Sequence, residues 1–308
     1  MTSSEPQAYL NGQWLPASQA SIGLADAGFV LGATVSEQLR TFGGKLFRLE
    51  AHLDRLERSL AITGVTPGIT RQEFQQIAMQ LAETNHVRLP PGSDLGLAIL
   101  VTPGLYGSFA HGASRPTVVL HTYPLSFARW AEKYNTGESL SASTVELVSL
   151  RSWPAELKCR SRMHYYLAEL EANRRHPGSR AVLCDALGNV RETANANVLL
   201  ANIESGVTTL ISPPRGTILP GISQGVVAEL TDAAGWKFEE RDFTLDELAD
   251  ADEVLLTTTP WCVLPVSQYE GRPIGEGSPG PVYTRLMEAW CQLVGIDIVK
   301  QAQQHANV

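Results

Sequence analysis

Leu49, Leu53, Leu56 and Leu60 recur at steps of four, three and four, which puts four leucines on one face of a helix that Gly64 stops. Upstream, Ala8-Tyr9-Leu10 and Gln13-Trp14-Leu15 flank Asn11-Gly12, the pair favoured by a two-residue hairpin turn. Alternation over 35–40 predicts a strand, and Gly43-Gly44 turns it into Lys45-Leu46-Phe47. Thr70 and Glu73 form a capping box for a second helix carrying Phe74, Ile77 and Leu81. Two more strands are expected over 96–101 and 117–121. The periodicity is lost over 123–137, where a linker is expected. Beyond it the pattern predicts a strand over 145–150 and a helix over 162–175. Strands on either side of Glu192 follow, then a hairpin through Ser205-Gly206 and a helix opened by Gly221 and closed by Gly235. Thr244 and Glu247 cap a short helix, 253–259 reads as a strand, and Glu270-Gly271 turns a hairpin. A helix from Gly280 to about Val294 completes the pattern. This order predicts an α+β fold, with a small N-terminal domain at 1–122, a linker at 123–137 and a larger C-terminal domain at 138–308.

Composition narrows the class. The 308 residues are 44% hydrophobic and 18% charged, enough to build a substantial core. The formal net charge of −8 argues against nucleic acid or an anionic membrane surface as partner. Cys159, Cys184, Cys262 and Cys291 are far apart and form no CxxC pair, so neither a disulfide framework nor a metal site is expected. No apolar run approaches the length of a membrane span, and no signal peptide opens the chain. A cytoplasmic protein is expected.

The chemistry concentrates around Gly188-Asn189-Val190-Arg191-Glu192-Thr193-Ala194-Asn195-Ala196-Asn197. Glu192 falls between two hydrophobic strands, where an isolated carboxylate is costly to bury, and a cationic ring nitrogen would be a suitable partner. Further on, Leu219-Pro220-Gly221-Ile222-Ser223 leads into a helix, and a glycine turn at a helix start is a cradle for phosphate. A carboxylate for a ring nitrogen and a helix terminus for a phosphate match the two ends of pyridoxal 5'-phosphate (PLP). The aldehyde of that cofactor requires a lysine. Lys158, in Glu156-Leu157-Lys158-Cys159-Arg160-Ser161-Arg162, lies at the end of an irregular segment just before a helix. Local sequence alone would equally suit a solvated lysine in a basic turn.

Taken together, these motifs resemble the class IV, or fold type IV, PLP-dependent aminotransferases. That group includes branched-chain and D-amino acid aminotransferases and aminodeoxychorismate lyases. The resemblance rests on the Glu192–Asn197 stretch, on Leu219-Pro220-Gly221-Ile222-Ser223 and on Ala251-Asp252-Glu253-Val254, and runs from about Asn11 to Trp290. It implies a small α/β domain followed by a larger domain with a pseudo-barrel, PLP at their junction, and a homodimer. It also implies that Lys158 forms the Schiff base and shuttles the proton, while Glu192 accepts a hydrogen bond from the pyridine nitrogen. Arg55, in His52-Leu53-Asp54-Arg55-Leu56, matches the phosphate arginine; Ile222 and Ser223 would offer backbone N–H groups and Thr259 a hydroxyl.

The substrate half of the pattern departs from the family. Ser36 and Leu31 stand where members often have aromatic residues lining the pocket. Pro103 stands where D-amino acid aminotransferases carry an arginine, and Pro260 follows Thr259 where most have a small residue. Proline has no N–H to offer a substrate carboxylate. Arg40, Arg160 and Arg162 are the arginines that could hold that carboxylate instead. The expected activity is transamination between an amino acid or amine and a 2-oxo acid. The alternative is the pyruvate-releasing lyase on the same fold, although Gln38 stands where its threonine would align.

Overall fold

The computed structural model describes residues 5–107 and 115–306. The chain divides into two compact units: Met1–Leu125 with Leu157–Ser161, and Ser126–Glu156 with Arg162–Val308.

The first unit holds β1 (Gln7–Leu10), β2 (Gln13–Pro16), α1 (Ala27–Val30), β3 (Val35–Phe42), β4 (Lys45–Leu46), α2 (Leu49–Thr63), α3 (Arg71–His86), β5 (Leu95–Thr102) and β6 (Thr117–Pro124). Its strands form one antiparallel sheet in the order β2-β1-β6-β5-β3-β4. Asn11 and Gly12 both take positive φ, 48° and 90°, as the β1–β2 hairpin turn requires. One face of the sheet packs Val35, Leu39, Leu97, Ile99, Val101, Val118 and Leu120 against Leu53, Leu56 and Leu60 of α2 and Phe74 and Leu81 of α3. Strand alternation puts Ser36, Gln38 and Arg40 of β3, with His121 and Tyr123 of β6, on the other face. The capping box at Thr70 and Glu73 forms as expected, and Gly64 ends α2 at φ 67°.

The second unit runs α4 (Lys133–Thr136), β7 (Glu138–Ala142), α5 (Met163–Arg175), β8 (Arg180–Cys184), β9 (Val190–Thr193), β10 (Asn197–Glu204), β11 (Val207–Ser212), α6 (Ile222–Ala233), β12 (Lys237–Glu240), α7 (Leu245–Asp250), β13 (Glu253–Thr258), β14 (Cys262–Tyr269), β15 (Arg272–Pro273), α8 (Pro281–Val294) and α9 (Ile298–His305). Because β9 pairs with both β8 and β10, the six strands β10-β13-β14-β7-β8-β9 close on themselves as a pseudo-barrel. The closing link is a single residue pair, Glu192 with Asn197.

Several elements differ from the sequence expectation. No strand forms over 145–150; the strand lies earlier, at Glu138–Ala142. Ser143 Oγ and the Thr144 N–H instead donate to Glu171, and Val145 and Leu147 pack beside α5 as an irregular strap. The segment 123–137 contains a 3-10 turn and α4, and buries Phe127, Trp130 and Tyr134. Elements this short offer too few residues for a period to show. The strand expected over 253–259 ends at Thr258, so Thr259 and Pro260 lie in the turn before β14. Strand β12 and helix α9 had no sequence expectation.

Candidate active site

In the first unit, α2 carries a polar stripe beside its leucines. His52, Arg55 and Ser59, spaced i, i+3 and i+7, share the buried side of the helix. They meet Glu37, which sits in phase with Val35 and Leu39 on the core face of β3 and is fully buried. Arg55 donates to both Glu37 oxygens, Nε to Oε1 at 2.7 Å and Nη2 to Oε2 at 2.9 Å, a bidentate pair. His52 Nδ1 lies 2.8 Å from Glu37 Oε2. Burial raises the Glu37 pKa, but the Arg55 guanidinium, with His52 assisting, overrides it and holds the carboxyl far below its usual range. Burial lowers the His52 pKa against the pull of Glu37, and Arg55 and Lys158 push it down further. A neutral His52 therefore donates its Nδ1–H to an acceptor-only carboxylate.

Ser59, the third member of the stripe, accepts the Lys158 N–H at 3.1 Å. The Lys158 carbonyl accepts from the Ser36 N–H at 2.9 Å, and Arg160 N donates to Thr34 O at 2.9 Å. With the Val35–Cys159 bridge, these bonds make the lysine segment a short antiparallel addition to β3. Leu157 packs into the core, so by alternation Lys158 and Arg160 stand on the opposite side of that segment. The lysine backbone is thereby pinned on both sides while its side chain is half-buried.

In the second unit, the barrel seam carries Glu192, which is 8% exposed. Its Oε1 accepts from the Tyr165 hydroxyl on α5, and its Oε2 accepts from the Leu219 N–H at 3.4 Å. Asn197, opposite Glu192, donates from Nδ2 to Leu219 O at 2.8 Å. The turn leading to α6 is thus bonded to both residues of the seam. Gly221 is required there, since a Cβ would fall 1.9 Å from Asn197 Oδ1. No side chain caps α6 and its first turn holds no acidic residue. The N–H groups at Ile222 and the buried Ser223 stand at the helix start, where helix geometry provides no intrahelical acceptor. Thr257 pairs with Asn197 across β13 and β10, and its buried hydroxyl has no hydrogen-bond partner among the described residues. A carboxylate, an uncapped helix start and a buried hydroxyl along one seam fit a phosphorylated, cationic ring such as PLP.

The remaining expected residues separate clearly. Thr259 and Pro260 are partly buried in the β13–β14 turn. Leu31 is 59% exposed, just past α1, whereas Ser36 is buried on β3. Arg40 is buried with its guanidinium 3.9 Å from the Phe42 ring centroid and its Nε donating to Thr41 O at 3.1 Å. Arg162 donates to the Ala194 carbonyl and lies 4.5 Å over the Tyr165 ring. Arg160 is exposed. Sequence reasoning missed Glu37, Tyr165 and Thr257, and named His52 only as part of the motif around Arg55. A glutamate in the apolar phase of a strand, followed by a polar stripe on the next helix, was the available signal for the first pair.

A family model described as amino-transferase class IV matches residues 34–269. The D-alanine aminotransferase of Bacillus licheniformis is 28% identical over 281 residues, covering 91% of this chain and 94% of the relative. Among solved structures, the branched-chain amino acid aminotransferase of Escherichia coli matches with a TM-score of 0.85 at 22% identity, covering 94% of this chain and 95% of that one. The branched-chain aminotransferase of the archaeon Thermoproteus uzoniensis, solved with norvaline, matches with a TM-score of 0.79 at 22% identity, covering 97% of this chain and 96% of that one. At these identities the solved structures speak for the fold.

Proposed function

The chain belongs to the amino-transferase class IV family, and from that premise we propose that it moves an amino group between an amino acid and a 2-oxo acid with PLP as its cofactor. The observation that carries the cofactor assignment is the barrel seam, where Glu192 and the start of α6 are joined through Leu219 and Asn197. When bound, PLP supplies the electron sink that makes the substrate Cα proton removable. Lys158 would hold the aldehyde carbon in the resting protein and, once freed from it as an amine, would take and return the Cα proton. Its backbone bonds to Ser59 and Ser36 keep that amine in place. Glu192 would accept the hydrogen bond of the ring nitrogen and so keep it protonated. Arg55, Ile222, Ser223 and Thr259 are assigned to the phosphate, with Arg55 oriented by its bidentate bond to Glu37.

The deciding measurement is a single-turnover half-reaction. Mixing the PLP-loaded protein with an amino donor should convert the cofactor to its pyridoxamine form with one equivalent of oxo product. A pyruvate-releasing lyase would give product without that conversion, and this outcome would overturn the reading. The lyase is disfavoured, since the relatives that match over most of this chain carry aminotransferase names. Pro260 withholds one N–H from the substrate carboxylate, so L-leucine with 2-oxoglutarate is not expected to be the best pair in a donor panel.

A homodimer belongs to the same reading. Leu24, Phe29 and Leu31 are 78%, 70% and 59% exposed, and Leu105 nearby is 50% exposed. Their loops are joined by the Asp26–Leu105 bridge and by Tyr106 N donating to Ala25 O, which makes one apolar patch suited to a second copy. Sedimentation giving an active species of about twice 33.4 kDa would support it, and an active monomer would remove it. No helix among the described residues is long and apolar enough to cross a membrane. Residence in the cytoplasm is supported by four free cysteines.

A further inference from the structure

We propose that the cavity between α4, α8 and the α8–α9 turn is a ligand site that takes a protonated amine carrying an apolar ring. The residues that form it all belong to the second unit, and none of them has been assigned to the cofactor or to the substrate.

The cavity measures about 770 Å³, within the range of small-molecule sites. Tyr283, Met287 and Cys291 line it from α8 at i, i+4 and i+8, one stripe along the helix. Tyr134 of α4 faces the same space. Its hydroxyl donates to the Trp261 carbonyl at 3.0 Å, which leaves the ring as its contribution to the wall. Two tyrosine rings, a thioether and a thiol make a wall that suits an apolar body and attracts a cation.

The charges around the cavity carry one sign. Glu288 and Asp297 line it, both exposed, and no lysine or arginine does. Asp297 Oδ1 accepts the Lys300 N–H at 2.9 Å as the cap of α9, and neither carboxylate forms an ion pair among the described residues. A smaller cavity of about 440 Å³ beside β7 differs in this respect, because there Arg180 and Lys133 stand 3.0 and 3.8 Å from the Glu138 carboxylate. The larger cavity therefore repels an anion and draws in a cation.

Tyr283 supplies an independent sign of a ligand. It is 5% exposed, and its backbone N–H donates to Glu253 Oε2 at 2.9 Å. Its hydroxyl has no hydrogen-bond partner among the described residues. Burial pushes the phenol pKa up, and Cys291 and Cys262 push the same way, so the group is a neutral O–H. A nearly buried hydroxyl on a cavity wall is expected to find a partner, and its oxygen can accept an ammonium N–H.

The test uses N,N-dimethylbenzylammonium, whose tertiary nitrogen forms no imine and so takes no part in amino-group transfer. Benzyl methyl ether, with the same ring and no charge, is the comparator. Calorimetry on the full-length protein as purified should show the ammonium binding about tenfold or more tighter than the ether. Glu288→Gln combined with Asp297→Asn should weaken the ammonium about tenfold and leave the ether unchanged. The asparagine still caps α9, so this variant keeps its fold. Tyr283→Phe removes only the unpartnered hydroxyl and should weaken the ammonium about threefold or more. No ammonium binding in the millimolar range, equal binding of ammonium and ether by wild type, or full ammonium affinity in either variant would overturn the proposal. Because no turnover is read, the outcome does not depend on the transaminase reading.

Discussion

Glu37 and Glu192 are both carboxylates on strands, and both are buried, at 0% and 8% exposure. Their partners differ in kind. Glu37 faces a guanidinium across two hydrogen bonds and takes a third from His52, so its charge is balanced inside the first unit. Glu192 accepts from a tyrosine hydroxyl and a backbone N–H, both neutral. A balanced carboxylate orients its partner and stiffens the fold. A carboxylate that accepts from a hydroxyl and a backbone N–H gains a stronger, charge-assisted bond when a cationic group is brought to it. On the proposed reading Glu37 serves the fold and Glu192 the chemistry, and substitutions should separate them.

The largest effect lies outside the pair and sets the scale. Lys158→Ala should lower kcat/KM by about a thousandfold or more while leaving the unfolding midpoint near wild type, as steady-state assays and a denaturant titration would show. Glu37→Gln should destabilise the protein by about 3–5 kcal/mol, because it leaves the Arg55 charge buried opposite a neutral amide. It should also weaken PLP binding. Denaturant unfolding checks the first effect and a PLP titration of the cofactor-free protein checks the second. Glu192→Gln should do the reverse, lowering kcat about a hundredfold with less than about 1 kcal/mol lost in stability. If both glutamine variants lose stability equally, the distinction drawn between the two carboxylates fails.

Gly221→Ala probes the seam without touching either carboxylate. Its backbone, at φ −70°, accepts alanine, so the cost comes from the new Cβ pressing on Asn197 Oδ1. The expected loss is about 1–3 kcal/mol, with weaker PLP binding as the turn before α6 shifts.

The smallest effect concerns pH. His52 has its folded pKa depressed from 6.5, first by burial. Below 6.5 the unfolded chain therefore binds a proton that the folded chain refuses, and stability falls as the medium is acidified. Glu37 has its folded pKa depressed from 4.5, so its contribution is fully present above 4.5 and is lost as the pH falls through the folded value. Unfolding free energies should decline by roughly 1 kcal/mol per pH unit just below 6.5. In His52→Gln that first decline should become shallower, the remainder coming from His121 and His164, whose folded pKa values burial also depresses, while the decline beginning below 4.5 is kept.

The amphipathic spacing of Leu49, Leu53, Leu56 and Leu60, the Asn11-Gly12 turn and the capping boxes at Thr70 and Thr244 were all legible in the chain, because each is set by residues a few positions apart. So were Lys158, Arg55 and Glu192 as candidates, since their motifs are contiguous. Strand β7, the 145–150 strap and helix α9 were not, because their conformation depends on packing by residues distant in the chain.

The sequence by itself determined the fold class, most of the elements and the family, through local periodicity and motifs that keep their order. Only the tertiary structure decided what each charge faces. Glu37 is separated from Arg55 by 18 positions, and Tyr165 from Glu192 by 27. A chain read in one dimension carries no information on which of its arginines will be enclosed. Arg40 stacks on Phe42 and Arg162 is drawn to Ala194, while Arg160 stays exposed beside the lysine; strand register and the closure of the barrel set those outcomes.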